Sequence, residues 1–222
     1  MTITKLFGSL SVAALLASNV AQAHASAIQL TALSDLSAGD TVATYPGSAS
    51  NPFSVVADGV TLTFSTPIAF NIFEQDGSFA PEFPSGARVL FNLLDGPLTI
   101  SFSDGIGEVG FFAQGFTPDS PQAFTVNVFD QSSLLKMFTV GPDPNAGFPG
   151  NALFVGAQAT NGDLITRLTI SNIEPSDDPS FVIGSVTFGE AVNAEPVPEP
   201  TSLLLLGSGL LYGARRLRRR SV

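Results

Sequence analysis

The chain has 222 residues, 19 acidic against nine basic side chains, a formal charge of −10 at pH 7, no cysteine and no tryptophan. With one histidine, His24, near the N-terminus, there is no basis for disulfide scaffolds, Ser-His-Asp or Cys-His nucleophiles, or zinc sites built on His and Cys. The acidic balance argues against nucleic acid or an anionic membrane surface as partner.

From the N-terminus, Lys5 precedes an apolar stretch from Leu6 to Ala17, and small residues follow. Ala21-Gln22-Ala23, Ala23-His24-Ala25 and Ala25-Ser26-Ala27 offer three overlapping A-x-A cleavage sites. A charged start, a short apolar core and a small-residue site make a secretory signal peptide, too short for a permanent span. Residues 1–25 are therefore expected to engage the secretion translocon and to be cut off after Ala23 or Ala25. Between Ile28 and Pro198 the basic residues shrink to Arg88, Lys136 and Arg167 against 18 acidic ones, so the expected body carries −15. Without disulfides it must rest on its hydrophobic core, for which roughly 165 residues suffice.

Residues 28–192 read as one all-β domain. Runs rich in Phe, Val, Ile and Thr recur from Ile28–Leu33 and Thr41–Tyr45, through Leu98–Phe102, Val109–Ala113 and Ala123–Phe129, to Leu164–Ile170 and Phe181–Phe188, thirteen in all. Several, such as Leu98-Thr-Ile-Ser-Phe102, alternate with the period of two that half-buried strands require. Asp58-Gly59, Asp76-Gly77, Asp95-Gly96, Asp104-Gly105 and Asn161-Gly162 supply residues that accept a positive φ, and predict turns. Short strands at this spacing predict an antiparallel β-sandwich, jelly-roll-like, whose core is filled by the 19 phenylalanines. The first two runs are expected to be edge pieces or coil.

Little in this body carries covalent chemistry. Carboxylate pairs remain, and Glu74, Asp76, Glu82 and Glu108 are the candidates for a glycoside hydrolase, the most distant reading. Calcium is better served, because it takes carboxylate and carbonyl oxygens from loops. The densest acidic loop holds Glu174, Asp177 and Asp178, with Asp104 next. No cofactor is expected beyond this structural calcium.

Residues 193–200 form a Pro/Glu linker, and residues 201–222 hold an apolar run followed by Arg215, Arg216, Arg218, Arg219 and Arg220. Fourteen helical residues from Thr201 to Ala214 cover about 21 Å, short of the roughly 30 Å hydrocarbon core. Snorkelling arginines would extend the segment into a marginal transmembrane helix and hold its end in the cytoplasm. Ahead of it, Pro198 and Pro200 keep the chain extended and unable to join that helix.

Val197-Pro198-Glu199-Pro200, the Leu/Gly run and the terminal arginines resemble the PEP-CTERM sorting signal of Gram-negative bacteria. The resemblance implies that Pro198, Glu199 and Pro200 are recognised by an exosortase in the inner membrane, with the arginines as the retention charge. Phe154-Val155-Gly156, then Ile165–Ile170, then Phe181–Phe188 is similar to the last strands of sandwich ectodomains on such proteins. Those strands commonly carry two aspartates where this chain has Gly184-Ser185. The sequence thus predicts an exported, non-enzymatic protein that passes through the inner membrane to the cell surface or extracellular matrix. There it would be structural or adhesive, with extracellular polysaccharide as a partner. A carbohydrate-binding module is the alternative, marked by phenylalanines or Tyr45 lying coplanar on an exposed sheet.

Overall fold

Alternation along Leu98-Thr-Ile-Ser-Phe102 puts three apolar side chains on one face and two hydroxyls on the other, which obliges the strand to cover one face only. The computed structural model describes residues 26–77, 79, 81–93, 96–115, 122–143, 151–173 and 180–190. It has the strands β1 (Ser26–Leu30), β2 (Thr41–Ala43), β3 (Phe53–Ala57), β4 (Val60–Ser65), β5 (Ala69–Glu74), β6 (Arg88–Leu93) and β7 (Leu98–Ile106). These are followed by β8 (Glu108–Gly115), β9 (Gln122–Asp130), β10 (Ser133–Asp143), β11 (Leu153–Thr160), β12 (Ile165–Asn172), β13 (Phe181–Ile183) and β14 (Val186–Gly189).

The strands form two antiparallel sheets, a β-sandwich. One has the order β10-β9-β12-β7-β4-β3; the other runs β1-β11-β8-β13-β6-β5, with β14 lying between β8 and β2. From the six-stranded sheet, Leu62, Phe64, Ile100, Phe124, Val126 and Leu168 point inward and are fully buried. Phe111, Val155, Phe181, Ile183 and Val186 meet them from the other sheet. The rings of Phe124 and Phe181 touch across the interface, 5.5 Å apart at 65°. Burying each such side chain contributes about 1.5–3 kcal/mol, so the layer between the sheets holds most of the stability. A smaller apolar cluster, Phe83, Val89, Ala152 and Val182, gathers Phe73, Phe79, Phe91 and Phe112 around it.

Asp58-Gly59 turns as expected: φ is 48° and 78°, and Ala57 pairs with Val60 across a two-residue hairpin. Asn161-Gly162 also turns, at 61° and 82°, with Asp163 N–H donating to the Thr160 carbonyl at 3.1 Å, but it carries the chain from one sheet to the other. Asp104-Gly105 does not turn, because both residues lie inside β7. Gly105 is there for space: a Cβ on it would come within 2.5 Å of the Leu164 Cβ. A Gln131-Ser132 turn joins β9 and β10, with Gln131 at φ 50° and Asp130 paired with Ser133.

Two strand predictions also need correcting. The run Ile28–Leu33 ends as a strand at Leu30, and Leu33–Asp35 form a 3-10 turn. The Asp35 carboxylate draws the chain round by accepting from the backbone N–H of Thr31 at 2.8 Å and of Ala32 at 2.9 Å. Phe181–Phe188 is interrupted at Gly184-Ser185. Gly184 N–H donates to the Phe112 carbonyl at 3.0 Å, and the two halves then part company. Both pair with β8, but β13 takes β6 as its other neighbour and β14 takes β2.

The first strand is firmly tied. Ser26 N–H donates to Asp163 Oδ2 at 2.8 Å, and Asn161 Nδ2 donates to Ser26 Oγ at 2.9 Å. Among the described residues no helix is long and apolar enough to cross a membrane; the segment 201–222 lies outside them.

Candidate functional site

An open acidic cleft of about 690 Å³ lies at one end of the sandwich. The loop Ser37–Thr41 forms one wall, Asp58 at the β3–β4 turn and Asp104 in β7 another, and Phe188 to Glu190 a third. Thr41 Oγ1 donates to Asp58 Oδ2 at 3.4 Å, and Ser103 Oγ donates to Asp104 Oδ2 at 3.0 Å.

Behind this cleft Glu108 is buried with 1% exposure. Its carboxylate is fully engaged: Ser37 N–H donates to Oε1 at 3.0 Å, and Gln158 Nε2 donates to Oε2 at 3.2 Å. A buried polar group held this way pins the Ser37–Thr41 loop to the sheet, since losing a partner would leave it unsatisfied. Asp40 faces Glu108, and its carboxyl is pushed above the usual carboxylate range, first by burial and then by the negative charge of Glu108. Asp40 Oδ2 is enclosed and has no hydrogen-bond partner among the described residues. Asp40 was not among the sequence candidates; it precedes a short strand and carries no local signal.

The four carboxylates expected for hydrolysis do not assemble round this cleft. Glu108 lies behind Asp40 rather than lining the cleft. Glu82 instead lines a separate apolar groove of about 230 Å³ and accepts from the Ala152 N–H at 3.3 Å. Glu74 ends β5 opposite Arg88, and Asp76 follows in the exposed loop. Among the described residues no group of three or more His, Cys, Asp or Glu is placed to hold a metal ion. Glu174, Asp177 and Asp178 lie outside the described residues.

The aromatic marks of a sugar platform are redirected. Tyr45 is 3% exposed and donates its hydroxyl proton to the Gly184 carbonyl at 2.7 Å, so it holds the fork between β13 and β14. Burial pushes its phenol well above the ordinary value. In the smaller cluster, Phe73 meets Phe79 at 40° and Phe91 at 84°, while Phe79 meets Phe83 at 89°. Rings tilted like this pack on one another as a second core rather than offering one flat face.

One partly exposed aromatic does stand on a sheet face. Phe129, in β9, lies under Arg167 of β12, whose guanidinium carbon is 4.2 Å from the ring centroid. The signal for it was present in Phe124–Phe129, where Thr125, Asn127 and Phe129 alternate with the buried residues.

The cleavage residues Ala23 and Ala25, the motif Val197, Pro198, Glu199 and Pro200, and Arg215, Arg216, Arg218, Arg219 and Arg220 all lie outside the described residues.

Several solved structures align with part of the chain. The tailspike protein 4 enzymatically active domain of bacteriophage CBA120 aligns at 11% identity and TM-score 0.33, over 60% of this chain and 19% of its own. The chain thus spans about a fifth of that domain. A family 29 carbohydrate-binding module from Piromyces equi aligns at 8% identity and TM-score 0.31, over 77% of this chain and 95% of its own. TmCBM61, solved with β-1,4-galactotriose, aligns at 13% identity and TM-score 0.27, over 59% of this chain and 84% of its own. No curated protein matches the sequence. Residues 196–220, in contrast, match the family model of the PEP-CTERM protein-sorting motif. The chain carries that motif at its C-terminal end, the mark of an exported protein processed at the membrane.

Proposed function

We propose that this is an exported, non-enzymatic protein of the cell surface or extracellular matrix, in which the sandwich is the cargo and the C-terminal segment its address. The observation that carries the reading is the sorting motif at residues 196–220, placed after a cysteine-free β-sandwich. An exosortase-type enzyme recognises Pro198, Glu199 and Pro200 at the outer face of the inner membrane, while the arginines from Arg215 to Arg220 stop the chain from passing through. Cleavage then frees the body, which serves as a structural or adhesive component among extracellular polysaccharides. Two of the carboxylates that could have served hydrolysis support a non-catalytic role, since Glu108 and Glu82 hold backbone N–H groups in place.

Intact mass of the protein recovered from the extracellular fraction tests this directly. The expected product lacks the first 23–27 residues and most of the segment after Pro200. Replacing Pro198, Glu199 and Pro200 with Ala should leave the precursor in the membrane fraction with its sandwich folded. Recovery of matrix protein at full C-terminal length would overturn the sorting reading.

A further inference from the structure

Antiparallel register lines up residues across the whole six-stranded sheet. Leu134 of β10 pairs with Phe129, Phe129 with Arg167, Arg167 with Ser101, Ser101 with Thr63, and Thr63 with Ser54 of β3. Each of these side chains points away from the core, since its neighbours Leu135, Val128, Leu168, Ile100, Leu62 and Phe53 are buried. At strand spacing this straight row is about 24 Å long. A parallel row runs from Asn127 through Thr169 and Thr99 to Ser65. Cross-strand bonds hold the hydroxyls and amides in place: Ser54 Oγ and Thr63 Oγ1 are 2.9 Å apart, and Asn127 Nδ2 donates to Thr169 Oγ1 at 3.2 Å.

The charge on these rows runs opposite to that of the chain. The protein has 19 acidic residues, yet neither row carries one, and the charged residue in them is Arg167. Its Nε is enclosed, and the guanidinium is braced on the Phe129 ring, with no carboxylate partner among the described residues. A planar cation on an aromatic ring, flanked by aligned hydroxyls, suits a ligand with carboxylates for the guanidinium, C–H faces for Phe129 and hydroxyls for the serines and threonines. An extended chain of sugar rings bearing uronic carboxylates has all three, and its length fits a row rather than a pocket.

We infer that the outer face of the six-stranded sheet binds an acidic polysaccharide laid across the strands, centred on Phe129 and Arg167. This rests on the matrix reading above and names the partner and the surface within it.

The test is affinity electrophoresis of the mature exported protein in gels containing polygalacturonate, its fully methyl-esterified form, or the polysaccharide fraction of the producing cells. Expected is retardation by polygalacturonate that weakens with salt and is much smaller with the ester. Arg167→Gln and Thr63→Glu should each weaken it about tenfold, as loss of a charge-assisted contact or gain of a repulsive one does, with melting temperature unchanged. Phe129→Ala should abolish it; should that variant unfold, the other two still decide the matter. Variants that bind like the wild type, or an ester bound as tightly as the acid, overturn the assignment. So does a wild-type dimer that Thr63→Glu splits, for the face would then belong to a second copy. If the wild-type protein binds none of the three polymers, the matrix reading falls with it. Binding that the variants leave untouched removes the face alone.

Discussion

Tyr45→Phe isolates one buried hydrogen bond at the point where the second sheet forks. The ring stays in contact with Phe53 and Phe64, whose centroids lie 6.2 and 5.4 Å away, so no cavity opens. What is lost is the 2.7 Å bond to the Gly184 carbonyl. Net loss of such a bond costs about 0.5–1.5 kcal/mol, and a buried acceptor left without a donor raises the cost to about 1–3 kcal/mol. We expect about 2 kcal/mol for Tyr45→Phe, against about 3–5 kcal/mol for Tyr45→Ala, which also empties the ring's site. In urea, with a slope of roughly 2 kcal/mol/M, the phenylalanine variant should lose about 1 M in midpoint at unchanged slope. The phenol adds a second check. Because its folded pKa is raised well above the ordinary value, the proton favours the native state. That contribution is complete below the ordinary phenol value near 10 and is lost as pH rises beyond it. The gap between wild type and Tyr45→Phe should therefore be constant from pH 7 to 9 and narrow in stronger alkali. A Tyr45→Phe variant as stable as the wild type would show that the Gly184 bond contributes nothing, and one as damaged as Tyr45→Ala that the ring's packing depends on it.

Asp40→Asn should make the protein more stable at pH 7. The raised folded pKa of Asp40 means that ionisation favours the unfolded chain, so stability falls as pH rises from the ordinary carboxylate value through the folded one. Thermal melts should show the advantage at pH 7 and its disappearance near pH 3.5; equal melting at pH 7 would remove Asp40 from the account. Gly105→Ala should destabilise although it lies in a strand, because its Cβ would meet the Leu164 side chain; a neutral result by urea denaturation would show that Leu164 swings aside freely. If Glu174, Asp177 and Asp178 hold calcium, the protein should melt higher in millimolar Ca²⁺ than in excess EDTA, and D177N/D178N should erase the difference. Identical melts would leave these acids as surface charge.

Much of the fold was legible because the strand period is a local property. The buried residues of β7 and β9 alternate in the sequence as they do in the sheet. What escaped is set by contacts between distant segments. Gly105 reads as a turn beside Asp104, and only the approach of Leu164 shows that it is a gap in a strand. The split of Phe181–Phe188 depends on a tyrosine 139 residues away. Asp40 and Glu108 belong to different segments, and nothing in either predicts their meeting. Phe129 could have been placed outward by alternation, but its pairing with Arg167 needs the register of β9 against β12. The sorting motif was readable for the opposite reason: its three parts are contiguous, and its recognition needs no tertiary structure.

The tie at Ser26 sets the order in which the exported chain can fold. β1 is the first of the described strands, but its partner β11 ends beside Asp163, 137 residues after Ser26. A strand delivered N-terminus first must therefore wait for nearly the whole body before it can pair, and such non-local pairing is slow. Until it does, the edge of β11 is an open template for any other extended chain. The position of the N-terminal cut then governs solubility as well as length. Cutting after Ala23 or Ala25 leaves Ser26 to seal that edge, whereas a cut after Ala27 would remove the sealing residue and leave part of β11 bare.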